Sequence, residues 1–169
     1  MPLLNYTTEV PASRSIGEIC TMLQEGGAQA VMMENNAARE IVAVSFTLQT
    51  TWGRVPYQLP ANVAAVIVTL NAQIRAETVR VNQGRGYKRK IPQRLFNDKA
   101  QAERIAWRIA KDWLEAQLAL EQIGGAKLEQ IMMPFARLVD GRSFYEHVVE
   151  RGSLALPAPK TEPENVTEV

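Results

Sequence analysis

Cysteine and histidine are nearly absent: the 169 residues hold one of each, Cys20 and His147. A single cysteine excludes an internal disulfide and any cysteine-rich zinc site. A lone histidine with no HExxH-type flank cannot build a multi-histidine metal centre. Cys20 falls beside Ile16, Ile19 and Leu23 on an expected helix, the setting of a buried, inert thiol rather than a nucleophile. No apolar run approaches the roughly 20 residues that span a bilayer. Residues 1–11 lack the basic flank and apolar core of a secretory signal, so the expectation is a cytoplasmic protein with no membrane partner. Gly84-Arg85-Gly86 lacks the third glycine and the strand-turn-helix setting of a dinucleotide fingerprint, and there is no Walker loop. Carboxylate pairs such as Glu34 with Glu40, or Glu146 with Glu150, fall near turns or on a solvated helix face. With no nucleophile and base, metal set or cofactor cradle in view, a non-enzymatic protein without a cofactor is expected.

What the chain does have is one folded unit's worth of patterned sequence. An extended segment is expected over 1–14, a single α+β domain over 15–152 and a disordered acidic, proline-containing tail over 153–169. Ser15-x-x-Glu18 reads as a capping box opening a helix that Gly26-Gly27 ends. Ala28 to Glu34 reads as a short strand, with Asn35-Asn36 supplying a turn that tolerates positive φ. Glu40 to Thr50 alternates, with Val42, Val44, Phe46 and Leu48 on the better core face. Thr51-Trp52-Gly53 reads as a hairpin tip returning through Arg54 to Leu59, which completes a three-stranded antiparallel meander.

Two long helices follow. The first runs from Asn62 to about Arg80, the second from Asp98 to Ile123, joined by a basic loop over 81–97. Ala102, Ala106, Ile109, Trp113, Ala116, Leu120 and Ile123 form one apolar stripe of the second helix, and Trp107, Leu114 and Leu118 form another. Two readings of the second stripe stand side by side: the C-terminal segment folds over it, or Trp107 and Leu114 face a protein partner or a second copy in a homodimer. Lys127 to Leu138 reads as a short helix interrupted at Pro134. Ser143-x-x-Glu146 opens a last helix that, with it, makes a C-terminal helical cap. The paired methionines Met32-Met33 and Met132-Met133 read as core filler.

The charge is polarised. Between Arg75 and Lys111 eleven cations meet three carboxylates, a net +8 in a chain whose total is +1, so the remainder sums to −7. At its centre Arg85, Lys88, Arg89 and Lys90 surround Tyr87 in a glycine-containing loop, a composition suited to phosphate contact with a base or sugar stacked on the ring. Arg94, Arg104, Arg108 and Lys111 extend the candidate surface, with DNA or RNA as its partner. The competing reading is that these cations are neutralised by carboxylates elsewhere in the fold. Trp52 at the hairpin tip is a further candidate contact, because exposed aromatics anchor protein interfaces.

Several stretches resemble small uncharacterised proteins of bacteriophages and integrated prophages. They are Ser15-Ile16-Gly17-Glu18-Ile19 before Gly27-Ala28, Ala43-Val44-Ser45-Phe46, Leu59-Pro60-Ala61-Asn62, Ala106-Trp107-Arg108-Ile109 with Trp113, and Pro134-Phe135-Ala136 before Asp140-Gly141. The likeness runs from Ser15 to about Val149 and carries no assigned activity. It implies a bacterial cytoplasm and a phage or mobile-element gene. Two roles fit that setting: a nucleic-acid-binding accessory protein, or an interaction module that modulates or inhibits a host factor such as a defence nuclease.

Overall fold

The computed structural model describes residues 2–82 and 91–151, and the expected α+β order is present in them. Helix α1 (Ala12–Glu25) precedes an antiparallel sheet of β1 (Ala30–Asn35), β2 (Ile41–Thr50) and β3 (Gly53–Pro60), ordered β1-β2-β3. The long helices α2 (Val63–Asn82) and α3 (Lys99–Gln122) follow, then the short α4 (Leu128–Ile131) and α5 (Phe144–Arg151). The expected tail over 153–169 and the centre of the basic loop lie outside the described residues.

The sheet follows from the alternation of β2. Its register sets Val44 between Met33 and Leu59, and Phe46 between Val31 and Tyr57, so one face is apolar in all three strands. Val44, Phe46, Leu48, Tyr57 and Leu59 are buried there, and the rings of Phe46 and Tyr57 stack at 5.4 Å. Val42, expected on the same face, is exposed. The register passes from Glu34 opposite Ala43 to Asn35 opposite Ile41, and the bulge drops Val42 out of the alternation. Asn36 organises the preceding turn by accepting from the N–H groups of Ala38 and Glu40, while Arg39, not an asparagine, takes the positive φ of 61°.

The N-terminal end differs from the expected extended segment. Helix α1 begins three residues before Ser15, directly after Pro11, whose fixed φ suits a helix start. Ser15 is therefore buried inside the helix instead of capping it, and Glu18 is free to pair elsewhere. The segment before it turns at Asn5 and is held by distant side chains. Gln101 Nε2 donates to the carbonyls of Tyr6 and Thr8 at 3.0 and 2.9 Å, and Asn5 Nδ2 donates to Asp112 at 2.8 Å.

Helix α3 is the wall between two cores. Asn97 and Asp98 are both capping residue types here, and it is Asp98 that caps the helix, accepting from the Gln101 N–H at 2.9 Å. Ala102, Ile105 and Ala106 pack with Val66, Leu70 and Ile74 of α2, together with Ile91 and Leu95. On the other side Trp107 and Leu114 pack with Ile16, Ile19 and Leu23 of α1 and with the sheet. The expectation that Trp107 and Leu114 form a partner or dimer surface is therefore corrected: they are 1% and 0% exposed. Helix α1 and the sheet cover that stripe, with Leu128 and Met132 of the C-terminal segment closing one end. The far end of the first stripe stays open, since Leu120 and Ile123 are exposed.

After α4 a single 3-10 turn, Met133–Phe135, carries Pro134 near its start, where a missing N–H costs nothing. The chain then runs along β3: Ala136 bridges Tyr57, and Arg137 N donates to Pro56 O at 2.8 Å. The Ser143 box forms as expected, with Ser143 N donating to Glu146 at 2.7 Å and Glu146 N donating to Ser143 Oγ at 3.2 Å. None of the described helices is long and apolar enough to cross a membrane.

Candidate nucleic-acid interface

Arg85, Tyr87, Lys88, Arg89 and Lys90 lie outside the described residues, and the described chain nearest to them is tied to the core by Glu77, Ile91 and Leu95. Glu77 of α2 accepts the N–H of Ile91 at 2.9 Å in a buried setting, and Ile91 and Leu95 insert into the core beside α2. Further along, a 3-10 turn over Gln93–Leu95 carries Arg94 outward. Arg75 of α2 lies with its guanidinium 5.4 Å from the ring centroid of Phe96, a cation–π contact at the root of the loop. Neither Arg75 nor Arg94 has an ion pair among the described residues. Arg75 was not among the sequence-based candidates. Its signal was its place at the start of the basic stretch, two residues ahead of Glu77.

The cations of α3 behave differently. Arg108 pairs with Glu18 of α1 and with Asp112, each at 3.2 Å. Lys111 is 8% exposed and pairs with Glu115 at 2.6 Å and Asp112 at 3.6 Å. Both line a polar cleft of about 710 Å³ between α1 and α3, together with Arg14, Thr21 and the carboxylates that neutralise them. Lys99 is paired with Glu40, and that contact holds the Glu40 carboxyl below its ordinary range. Arg104 has no carboxylate partner among the described residues. Its guanidinium donates twice to Gln101 Oε1, at 2.9 and 2.6 Å. Of these cations, Lys99, Arg108 and Lys111 of α3 are neutralised by carboxylates, whereas Arg104 of α3, with Arg75 and Arg94 beside the basic segment, has no carboxylate partner among the described residues.

Trp52 is 71% exposed. The tip that carries it is held by Thr50 Oγ1, which donates to Gly53 O at 2.9 Å and accepts from Trp52 N at 3.1 Å, with Gly53 at φ 110°. The ring is presented by an ordered turn instead of folding back on the sheet.

The remaining groups that could carry chemistry are engaged structurally. Glu34 accepts from Ser45 and, at 2.6 Å, from Gln58 across the open sheet face; these bonds, the Ser45 one foremost, hold its carboxyl below the ordinary range. Glu150 pairs with Arg142. His147 Nδ1 is buried without a hydrogen-bond partner among the described residues, while neighbouring Asp140 is held low chiefly by hydrogen bonds from Arg142. Burial pushes the Cys20 thiol up, away from the thiolate form that reacts. No cluster of metal-ligating side chains occurs among the described residues. An apolar groove of about 430 Å³ follows the seam between the two cores, lined by Leu59, Val66, Ile109, Trp113 and Phe135 among others. Compared with models of protein families, with curated proteins and with solved structures, the chain matches none of them.

Proposed function

We propose that this is a non-catalytic accessory protein that binds nucleic acid through the basic segment Arg85–Arg94, in keeping with the phage-type setting that its sequence resemblance implies. The observation that carries the reading is the division of the cations. Lys99, Arg108 and Lys111 already have carboxylates beside them, whereas Arg75 and Arg94 at the root of the loop have none among the described residues. Binding a polyphosphate gains most from cations that need not first give up an internal partner, because each releases condensed counterions from the nucleic acid. Arg108 and Lys111 are accordingly left out of the proposed surface, which consists of Arg75, Arg85, Lys88, Arg89, Lys90 and Arg94 with Tyr87 as a stacking platform. Arg104, tied to Gln101, stands at its margin.

Fluorescence anisotropy with labelled single- and double-stranded DNA and with RNA, over a salt series, tests this. The expected result is micromolar or tighter binding that weakens steeply with salt, with a shallower slope once Lys88, Arg89 and Lys90 are changed to alanine. Absence of binding at low salt overturns the reading.

A second reading rests on Trp52. An exposed tryptophan on an ordered hairpin tip has the form of a protein-interface anchor, consistent with a module that modulates a host factor. On that reading Trp52→Ala abolishes capture of the host protein and leaves nucleic-acid binding intact.

A further inference from the structure

The two edges of the sheet are treated unequally. The β3 edge is covered by Ala136 and Arg137. The β1 edge pairs with nothing on its outer side among the described residues. Natural sheets protect an open edge with lysines, prolines or bulges that discourage further pairing. The regular part of β1, Ala30-Val31-Met32-Met33-Glu34, contains neither lysine nor proline, and its register slips only beyond Glu34. Met32 and Met33 are 61% and 52% exposed, one on each face of the sheet. Met33 lies on the core face, in the row of Val44 and Leu59, where the apolar layer stops short of the strand that carries it.

We propose that this edge pairs with β1 of a second copy, antiparallel, about a two-fold axis at Met32, joining the two sheets into one of six strands. Residues that meet across an antiparallel pair share a face, so a strand can pair with its own copy only about a residue, not between two. The regular stretch Ala30–Glu34 has Met32 at its midpoint. In that register Met32 meets Met32 on the open face, and Met33 meets Val31 on the core face, twice by symmetry. Each copy therefore extends the apolar layer over the methionine that the other leaves uncovered. Charge fits as well. The one charged residue of the stretch, Glu34, meets Ala30 and not its own copy, and its carboxylate is already bound by Ser45 and Gln58 of its own sheet. A like-charge pair, the usual obstacle to self-pairing, does not arise. The contact is narrower than the roughly 1,600 Å² of a standard interface, so the dimer is concentration-dependent.

Sedimentation equilibrium on the full chain, from about micromolar to about millimolar, tests the pairing. The wild type is expected to pass from monomer to dimer over this range, while Met32→Lys and Met32→Glu each stay monomeric with unchanged circular dichroism and melting. Because residue 32 faces residue 32, mixing the two variants is expected to restore a dimer containing one of each. A wild type that stays monomeric throughout overturns the proposal. So does a dimer indifferent to Met32→Lys, or a mixture that fails to associate.

Discussion

Glu77 accepts the backbone N–H of Ile91 at 2.9 Å, with both residues buried at the root of the basic loop. Replacing Glu77 with alanine leaves that N–H without this acceptor, at a cost of about 1–3 kcal/mol. Glu77→Gln keeps a carbonyl acceptor and costs less. Urea unfolding of the two variants gives the comparison, and equal losses would show that the bond to Ile91 is not what makes Glu77 matter.

Two of the three tryptophans, Trp107 and Trp52, separate cleanly. Trp107 sits in the core between α3, α1 and the sheet, so Trp107→Ala is expected to lose about 3–5 kcal/mol. Trp52 projects from the hairpin tip, so Trp52→Ala is expected to stay within about 0.5 kcal/mol of wild type. Chemical denaturation followed by circular dichroism reads both.

The nucleic-acid proposal makes a demand on single cations. Arg94→Ala is expected to lower the salt slope of binding by about one phosphate contact, whereas Arg108→Ala, whose charge faces Glu18 and Asp112, leaves the slope unchanged. Equal changes in the two slopes, measured by anisotropy, would return the α3 flank to the interface.

Acid should weaken the sheet through Glu34. Its carboxyl is held below the ordinary range by hydrogen bonds from Ser45 and then Gln58. Unfolding therefore raises its affinity for a proton, and its contribution is fully present above the unfolded carboxylate value of about 4.3. That contribution is lost as pH falls below this value and through the lower folded one. Thermal melts from pH 7 down to about 3 are expected to show a shallower acid decline in Glu34→Gln than in wild type.

Much of the fold was legible because its signals are local. The alternation of β2, the Asp98 cap and the Ser143–Glu146 box each depend on residues a few positions apart, and each is present. The displacement of Val42 depends on the pairing register of β1, which no pattern within β2 announces. The two stripes of α3 were visible, but which element covers which is decided by tertiary packing, and α1 took the place expected of the C-terminal segment. The basic surface was half legible. Arg108–Asp112 and Lys111–Glu115 are helical neighbours that the spacing already implies, whereas the bond from Arg108 to Glu18 joins residues 90 positions apart.

The bonds that fasten residues 3–8 set an order of assembly. Asn5 reaches Asp112 across 107 positions, and the carbonyls of Tyr6 and Thr8 wait for the side chain of Gln101. During vectorial synthesis the sheet hairpins can close as soon as they emerge, while these residues have nowhere to settle until α3 has been made. The segment ahead of α1 is thus fixed only once α3, made well after it, is in place. Bulk added beside Leu3, whose N–H is held by Gln73 and whose side chain packs with Tyr6 against the core of α2 and α3, would strain that closing step and the edge of that core.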